Sequence, residues 1–308
     1  MIPAKELTEY AEVVLDVGVP IQADDLVLIN AEIEHAPLAR ELAEAAYARK
    51  ARYVDIWYFD PHAKRSRVRH ADAETLAEVP AWLDARNEEL GDKHGVLINI
   101  AGATEPDLLS DVDQTRAGLD RMPGLASRYR IQMNHLVQWA IVPYATKEWA
   151  RTVFGEPDVD RLWGHLRTIL RLDQPDPRAA WRDRMDELLA TGTRLTQLGL
   201  DAVHFEGPGT DLTIGLIPQA VWTAAVLESV TGRRFQCNMP TEEVYTTPDY
   251  RRVDGRVRST RPLSLAGTVV RDLELTFRDG VVTEVGASAG ADLVRDRKST
   301  RLNSSHER

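Results

Sequence analysis

Short apolar runs alternate with longer amphipathic stretches along the first half of the chain. Four runs rich in Val, Leu and Ile predict buried β-strands; they are 25–31, 52–59, 94–102 and 136–144. Three stretches between them have the spacing and capping signals of helices; they are Ala36–Lys50, Asp72–Glu89 and Thr104–Leu119. Strands separated by helices need crossover connections, so the pattern predicts an α/β domain with a mostly parallel sheet covered on both faces.

Residues 146–198 predict helix throughout, because Trp, Phe and Leu residues recur near helical spacing. The segment 173–177 contains two prolines and interrupts this pattern. A long helix is predicted from Pro177 to Gln197. We interpret residues 146–198 as a helical bridge between two domains.

From Asp201 the pattern changes to short alternating or β-branched runs, punctuated by glycines. Asp279-Gly280 lies between two such runs and is a strong hairpin signal. The predicted strands are Ala202–Glu206, Leu212–Leu216, Arg234–Met239, Glu242–Thr247, Arg252–Thr260 and several within Leu263–Val285. At about 150 residues per domain, the 308 residues predict two domains. Residues 1–185 would form the α/β domain with its helical bridge, and residues 186–295 a β-rich (α+β) domain.

The last residues differ in character from the rest of the chain. Asp296–His306 reads DRKSTRLNSSH, which is polar and aperiodic. It matches, in one reading frame, the translation of a common short-read sequencing adapter. We interpret residues 296–308 as an artefactual tail and exclude them from fold reasoning. Its charged residues sum to +2, so without them the net charge of -10 becomes -12.

Composition and charge exclude several classes of protein. The net charge of -10 disfavours nucleic acid as a partner, because phosphate binding needs a basic surface. Cys237 is the only cysteine, so a disulfide-stapled secreted fold is excluded. We see no signal peptide in the first residues, and no apolar stretch approaches the ~18 residues of a membrane span. The expected location is therefore the cytoplasm, with no membrane partner.

The clearest candidate chemistry is an acidic pair, Glu242 and Glu243, inside the β-type run 238–248. Neighbouring residues of a strand point to opposite faces, so at most one of them faces a given site. A glutamate directed inward needs a metal, an arginine or its own proton, and glutamate oxygens bind zinc, manganese or magnesium. From the residues alone, two solvated acids and one metal ligand both remain open.

Other potential sites have weaker patterns. The histidines make no HExxH motif, and Cys237 has no patterned histidine partner, so we predict structural roles for them. The segment Gly207–Leu212 lacks the spacing of a dinucleotide site and is predicted to be a turn. The tryptophans at 139, 149, 163 and 181 are predicted to pack in the core.

A series of motifs in order is more specific than any single one. The series comprises Trp139 with Pro143, Trp149-Ala150, Phe154, Leu162-Trp163, Asp176-Pro177, Trp181, Gly207–Leu212, Asn238, Pro240–Val244, Gly255, Ser259–Leu263 and Gly267. It resembles the thermophilic-type metal-dependent aminopeptidases, the family of aminopeptidases T, S and II. The resemblance runs from the N-terminus to about Arg295, and its sharpest element is PTEEV, Pro240–Val244, followed by a Thr. Tyr245 stands where the family commonly has Phe, a mild departure.

The resemblance implies a cytoplasmic, homodimeric exopeptidase that removes N-terminal residues from peptides. It implies an α/β N-terminal domain, a catalytic C-terminal domain and two divalent ions, variously cobalt, zinc or magnesium. Such ions lower the pKa of a bound water and polarise the scissile carbonyl. One Glu of PTEEV is a metal ligand in the family. We favour Glu243 over Glu242, because strand alternation would place Glu243 on the same face as Thr241 and Tyr245.

The chain departs from the family pattern beyond Arg295. The family's other ligands are a second Glu, two His, a Tyr and an Asp on later segments, in GEVAL-like and HxD-like motifs near the C-terminus, and the C-terminal part of this chain contains neither motif. We therefore expect a catalytic domain cut short, in which no metal binds stably and which is inactive alone, while the full gene encodes an aminopeptidase.

Two other functions remain possible from the sequence. One is an iron-dependent ring-cleaving dioxygenase on a related scaffold. Such an enzyme would have different metal ligands in the missing C-terminal segment. The PTEEV motif followed by Thr favours the peptidase. The other is a non-catalytic interaction module of natural length, which predicts a genomic stop codon near Arg295.

Overall fold

The computed structural model describes residues 2–265, 268–292 and 294–295, so the adapter-like segment 296–308 lies outside the described residues. The chain forms two compact units. One comprises Met1–Leu189 together with Ala224–Glu243, and the other comprises Ala190–Thr223 together with the chain from Val244 onward. The division at residues 185 and 186 stays a prediction. Among the described residues, no helix combines the length and apolarity needed to cross a membrane.

A parallel sheet of four strands lies in the first unit. The strands are β1 (Leu26–Glu32), β2 (Tyr53–Phe59), β3 (Val96–Ala101) and β4 (Gln138–Pro143). Their order is β2-β1-β3-β4, and all three pairings are parallel. The five central residues of β1 are all buried, as expected of a strand covered on both faces. The predicted α/β fold with a parallel sheet is confirmed.

Helices connect and cover these strands. Within the described residues they are α1 (Ala4–Val13), α2 (Ala36–Ala48), α3 (Pro61–His70), α4 (Ala73–Leu76), α5 (Ala81–Asp92), α6 (Gln114–Leu119), α7 (Ala126–Met133), α8 (Lys147–Phe154), α9 (Val159–Ile169) and α10 (Pro177–Gln197). Helix α10 has the predicted bounds. Asp176 accepts a hydrogen bond from the Ala179 amide at 3.0 Å, and Pro177 occupies the first helical position, where its missing N–H costs nothing.

Three of the helix predictions differ from the structure. The prediction of helix throughout 146–198 is wrong at 155–158 and 170–172, because Gly155 ends α8 in the left-handed conformation and α9 ends at Ile169. The stretch 72–89 forms α4 and α5 instead of one helix, because Pro80 disfavours helical backbone at the residue before it. The prediction of helix from Thr104 is wrong over residues 104–113, and only α6 is helical. The Thr104 hydroxyl donates to Glu32 instead of capping a helix, and Asp113 caps α6 through the Arg116 amide at 3.0 Å.

Short strands dominate the chain after α10. Those described are β5 (Ala202–Gly207), β6 (Thr210–Leu216), β7 (Thr223–Ala224), β8 (Val226–Glu228), β9 (Arg234–Gln236), β10 (Val244–Tyr245), β11 (Pro248–Arg258), β12 (Leu263–Leu265), β13 (Thr268–Val270), β14 (Glu274–Arg278) and β15 (Val281–Gly286). Five of them form an antiparallel sheet in the second unit, in the order β15-β14-β11-β6-β5. Asp279 and Gly280, at φ 48° and 77°, form the predicted two-residue hairpin turn.

The core of the first unit contains the tryptophans that the sequence assigned to it. Trp163 and Trp181 are buried, and Trp139 and Trp149 are half-buried and pack against the same cluster. Trp181 is fully shielded, and its indole Nε1 donates to the Leu170 carbonyl at 2.8 Å. This side chain fixes the start of α10 against the end of α9.

Candidate functional site

A cleft of about 620 Å³ opens at the carboxyl edge of the parallel sheet. One wall is formed by Ala101 of β3 with Ile141 and Pro143 of β4, and the other by the segment Asn238–Glu243. All of these residues belong to the first unit. The carboxyl edge is where parallel α/β sheets bind ligands, because the loops there leave a crevice between strands. The acidic pair therefore lies at the edge where a site is expected.

The segment before the acidic pair is attached to the sheet edge by backbone hydrogen bonds. The Ile141 amide donates to the Cys237 carbonyl, and the Met239 amide donates to the Ile141 carbonyl, each at 3.0 Å. Pro240 then has no N–H with which to continue the ladder. Residues 241–243 consequently lie outside any strand, and the predicted strand 242–247 is reduced to β10. The prediction that Glu242 and Glu243 alternate between the two faces of a strand is therefore wrong.

Glu242 is held by two arginines, Arg171 in the turn between α9 and α10 and Arg184 on α10. Its Oε1 accepts from Arg171 at 2.8 Å, and its Oε2 accepts from Arg184 Nε at 2.6 Å. The Arg171 guanidinium lies over the Trp181 ring, 5.2 Å from its centroid. Hydrogen bonds to Glu187 and then to Glu242 raise the pKa of Arg184. Both oxygens of Glu242 are thus engaged by cations, which leaves little negative charge for a metal ion.

Glu243 differs from its neighbour in this respect. Its side chain is exposed in the cleft, and it makes no hydrogen bond or ion pair with any residue that the structure describes. Its negative charge contributes to raising the pKa of Cys237. Glu243 is accordingly the member of the pair with a carboxylate available to a ligand. Across the described ranges, no three His, Cys, Asp or Glu side chains gather in a metal-binding arrangement, so Glu243 is a single potential ligand and not a complete site.

Arg171 and Arg184 were not recognised from the sequence. They lie 71 and 58 residues before Glu242, within the stretch 146–198 that the sequence pattern assigned only to a bridge. No local motif links them to the PTEEV segment. The only usable signal was the general rule that a carboxylate beside a core needs a positive partner.

Cys237 is buried beside the cleft and behaves as a structural residue. It is 5% exposed, and its Sγ lies 3.5 Å from the Ala225 carbonyl. Burial, with a smaller contribution from the charge of Glu243, raises the pKa of its thiol to about 11. A thiol with so high a pKa stays protonated at neutral pH and is a poor nucleophile. The structure supports the prediction that Cys237 is not catalytic.

We expect the Cys237 thiol to react slowly with Ellman's reagent. A pKa of about 11, compared with about 8.5 for a free cysteine, reduces the thiolate fraction at pH 8 about 200-fold. The rate should rise as pH approaches 11 and should increase sharply when urea unfolds the protein. Equal rates for the native and unfolded chains at pH 8 would contradict this assignment.

Comparison with known proteins adds independent information. A model of the family described as thermophilic metalloprotease (M29) matches residues 4–303, beyond the predicted end of the resemblance at Arg295. Aminopeptidase 2 of Geobacillus stearothermophilus is 36% identical over 298 residues, which cover 94% of this chain and 72% of that protein. The structure of wild-type AmpT from Thermus thermophilus is 31% identical with a TM-score of 0.85, covering 95% of this chain and 74% of that one.

A second solved structure shares the fold alone. It is the structure of the 2,5-dihydroxypyridine dioxygenase of Pseudomonas putida, with 14% identity and a TM-score of 0.54 over 96% of this chain and 72% of that one. The match with AmpT confirms both the predicted fold class and the predicted family. With a family match over nearly its whole length, the chain belongs to the thermophilic metalloproteases of family M29.

Proposed function

We propose that this chain is part of a metal-dependent aminopeptidase that releases N-terminal amino acids from peptides. The observation that carries the proposal is the free carboxylate of Glu243, placed by the family's PTEEV segment in a cleft at the carboxyl edge of a parallel sheet. Relatives named as aminopeptidases, such as that of Geobacillus stearothermophilus, support the substrate class. When bound, two divalent ions (cobalt, zinc or magnesium) would supply an activated water and polarise the peptide carbonyl.

Within this proposal the two glutamates have different roles. Glu243 is the metal ligand, because its oxygens are unengaged among the described residues. Glu242 positions the loop, because two arginines hold both of its oxygens. A carboxylate must be available in its charged form to bind a divalent ion, and an arginine pair competes directly with that ion. Both glutamates were named as candidate ligands from the sequence, and only Glu243 is proposed as one here.

The 308-residue chain alone is proposed to be inactive and to hold no metal stably. Its described residues offer one free carboxylate in the cleft, whereas a catalytic zinc-type site uses three protein ligands. The chain covers 72% of aminopeptidase 2, so further ligands have room on the remainder of such a protein. Residues 186–295 would then be the first part of the catalytic domain.

Two proteins test this proposal in parallel with leucyl-p-nitroanilide and added cobalt. The first is the 308-residue chain, and the second is the chain to Arg295 extended in frame by the genomic codons that follow. We expect hydrolysis by the extended protein and none above the metal blank by the chain alone. Turnover by the chain alone would contradict the proposed inactivity. A genomic stop codon near Arg295, or an inactive, folded extended protein, would contradict the aminopeptidase function.

Quaternary structure and location are also proposals. Homodimerisation rests on the family resemblance, and light scattering on the extended protein would measure it. A reducing, cytoplasmic location is supported by the single buried thiol of Cys237, which cannot form a disulfide within the chain. The alternative of a ring-cleaving dioxygenase is not favoured, because that likeness at 14% identity concerns the fold alone. The interaction module is not favoured either, because the named relatives are enzymes.

A further inference from the structure

Two asparagines lie side by side on one face of the parallel sheet. Asn30 of β1 is in register with Asn99 of β3 on one side and with Trp57 of β2 on the other. The Asn30 Nδ2 donates to the Asn99 Oδ1 at 2.9 Å. The positions two residues earlier on the same face, Leu28 and Leu97, are buried and apolar. A polar pair therefore replaces the hydrophobic face at the carboxyl end of these strands.

One atom of this pair lacks a hydrogen bond. Asn30 is 9% exposed, and its Oδ1 is shielded from solvent with no donor among the described residues. Buried amide oxygens are almost always paired, because removing them from water without a donor is costly. An orphan acceptor beside a cleft points to a donor supplied from outside the chain.

An unpaired cation lies beside the same cleft. The Arg128 guanidinium, on α7, is half-buried and makes no hydrogen bond or ion pair within the described ranges. Burial, followed by repulsion from Arg86, lowers the pKa of Arg128. Arg86 has its own partners, since its Nε lies 3.2 Å from Asp55 Oδ2 and its Cζ lies 4.9 Å from the centroid of the Trp57 ring. Arg128 thus lacks the anion that a partly buried guanidinium requires.

These groups line a cleft of about 150 Å³ together with Glu32, Trp57 and Phe59. The Trp57 and Phe59 rings lie edge to face, with centroids 6.1 Å apart. A cavity of about this volume accommodates a molecule the size of benzene. Glu32 accepts hydrogen bonds from Thr104 and from the His35 amide. A carboxylate has about four acceptor positions, so Glu32 can accept further hydrogen bonds from a ligand. The cleft therefore combines a cation, two acceptors and an aromatic wall at the scale of a small molecule.

We propose that this cleft binds a free α-amino acid. Arg128 takes the carboxylate, and the Glu32 carboxylate accepts from the ammonium group. The Asn30 Oδ1 becomes a second acceptor once the side chains that shield it shift, and Trp57 and Phe59 contact an apolar side chain. A simple carboxylate would leave the Asn30 acceptor unmet, and a simple amine would leave Arg128 unpaired. A small ligand that carries both charges satisfies both groups within this volume. This cleft is lined by different residues from the cleft that contains Glu243.

Calorimetric titration of the 308-residue chain, in EDTA to remove metals, tests the ligand class. The probes are L-leucine, 4-methylpentanoate, which lacks its ammonium group, and 3-methylbutylamine, which lacks its carboxylate. We expect saturable binding of leucine, at least about tenfold tighter than either analogue, because each charged hydrogen bond contributes about that factor or more. The absence of saturable leucine binding in the millimolar range, or equal binding of either analogue, would overturn the proposal.

Variants locate the site. Arg128→Met should weaken leucine binding about tenfold or more, while the melting temperature stays equal or rises, because an unpaired half-buried charge is removed. Arg130→Met is the matched control on the same helix, since Arg130 pairs with Glu88 at the surface and should leave binding unchanged. Glu243→Gln should also leave it unchanged. Leucine binding that survives Arg128→Met and disappears in Glu243→Gln would assign the amino acid to the other cleft and refute the proposal.

Discussion

Replacement of Trp181 by alanine is expected to destabilise the first unit by about 3–5 kcal/mol. The side chain is fully shielded, so its removal leaves a large cavity between α9 and α10. It also removes the indole donor of the Leu170 carbonyl and the aromatic face under Arg171. Urea unfolding followed by circular dichroism would show this change as a lower midpoint of the first unit's transition.

Two further variants separate the causes of this loss. Trp181→Phe keeps most of the ring and removes the hydrogen bond, so we expect a smaller loss of about 1–2 kcal/mol. Trp82→Ala is the surface control, because Trp82 is 66% exposed and should change stability by less than about 0.5 kcal/mol. If the free energy of unfolding of Trp181→Ala lies within about 1 kcal/mol of that of the unmodified chain, the site has collapsed around the cavity and the assigned role of Trp181 is wrong.

The elements that sequence patterns predicted well are those governed by local chemistry. The bounds of α10 follow from a proline and an aspartate at its start, and the hairpin at Asp279-Gly280 follows from two residues that tolerate positive φ. The four strands of the parallel sheet follow from continuous apolar runs. In each case the deciding contacts lie within a few residues, which a sequence displays directly.

The failures concern contacts between distant residues. Thr104 looked like a helix cap, but its hydroxyl is used by Glu32, 72 residues away. The acidic pair looked like part of a strand, but the preceding residues are bound to β4 and Glu242 is bound to Arg171 and Arg184. Local propensity cannot anticipate a partner that only the fold brings near.

The asparagine pair is different, because a sequence signal existed. The triplet Leu-Ile-Asn occurs at 28–30 and again at 97–99, and each time its Asn lies in the carboxyl half of a predicted strand. Polar residues at the ends of neighbouring parallel strands meet at the ligand-binding edge of the sheet. Both asparagines lie within predicted buried runs, and only the adjacency of β1 and β3 in the sheet identifies them as a pair. Arg128 carried no such signal, since its lack of a partner is visible only in three dimensions.

In the extended protein, Glu243→Gln is expected to reduce kcat/KM for leucyl-p-nitroanilide about 10³-fold or more, equivalent to about 4 kcal/mol of transition-state stabilisation. The amide keeps the size of the side chain and removes the charge that a divalent ion needs. Metal content, measured by elemental analysis after dialysis, should fall in parallel. Because Glu243 makes no hydrogen bond or ion pair with a described residue, the variant and the unmodified protein should melt at the same temperature when both are measured metal-free in EDTA.

Glu242→Gln is the matched control at the adjacent position. It weakens the pairs with Arg171 and Arg184, but the Glu242 side chain is 52% exposed, so the cost in stability should stay within about 1 kcal/mol. Activity should remain within about tenfold of the unmodified protein, because the loop is displaced and no proposed ligand is lost. Loss of metal in Glu242→Gln with retention in Glu243→Gln would reverse the two roles. It would mean that metal displaces both arginines from Glu242, so that the ion pairs described here exist only in the metal-free protein.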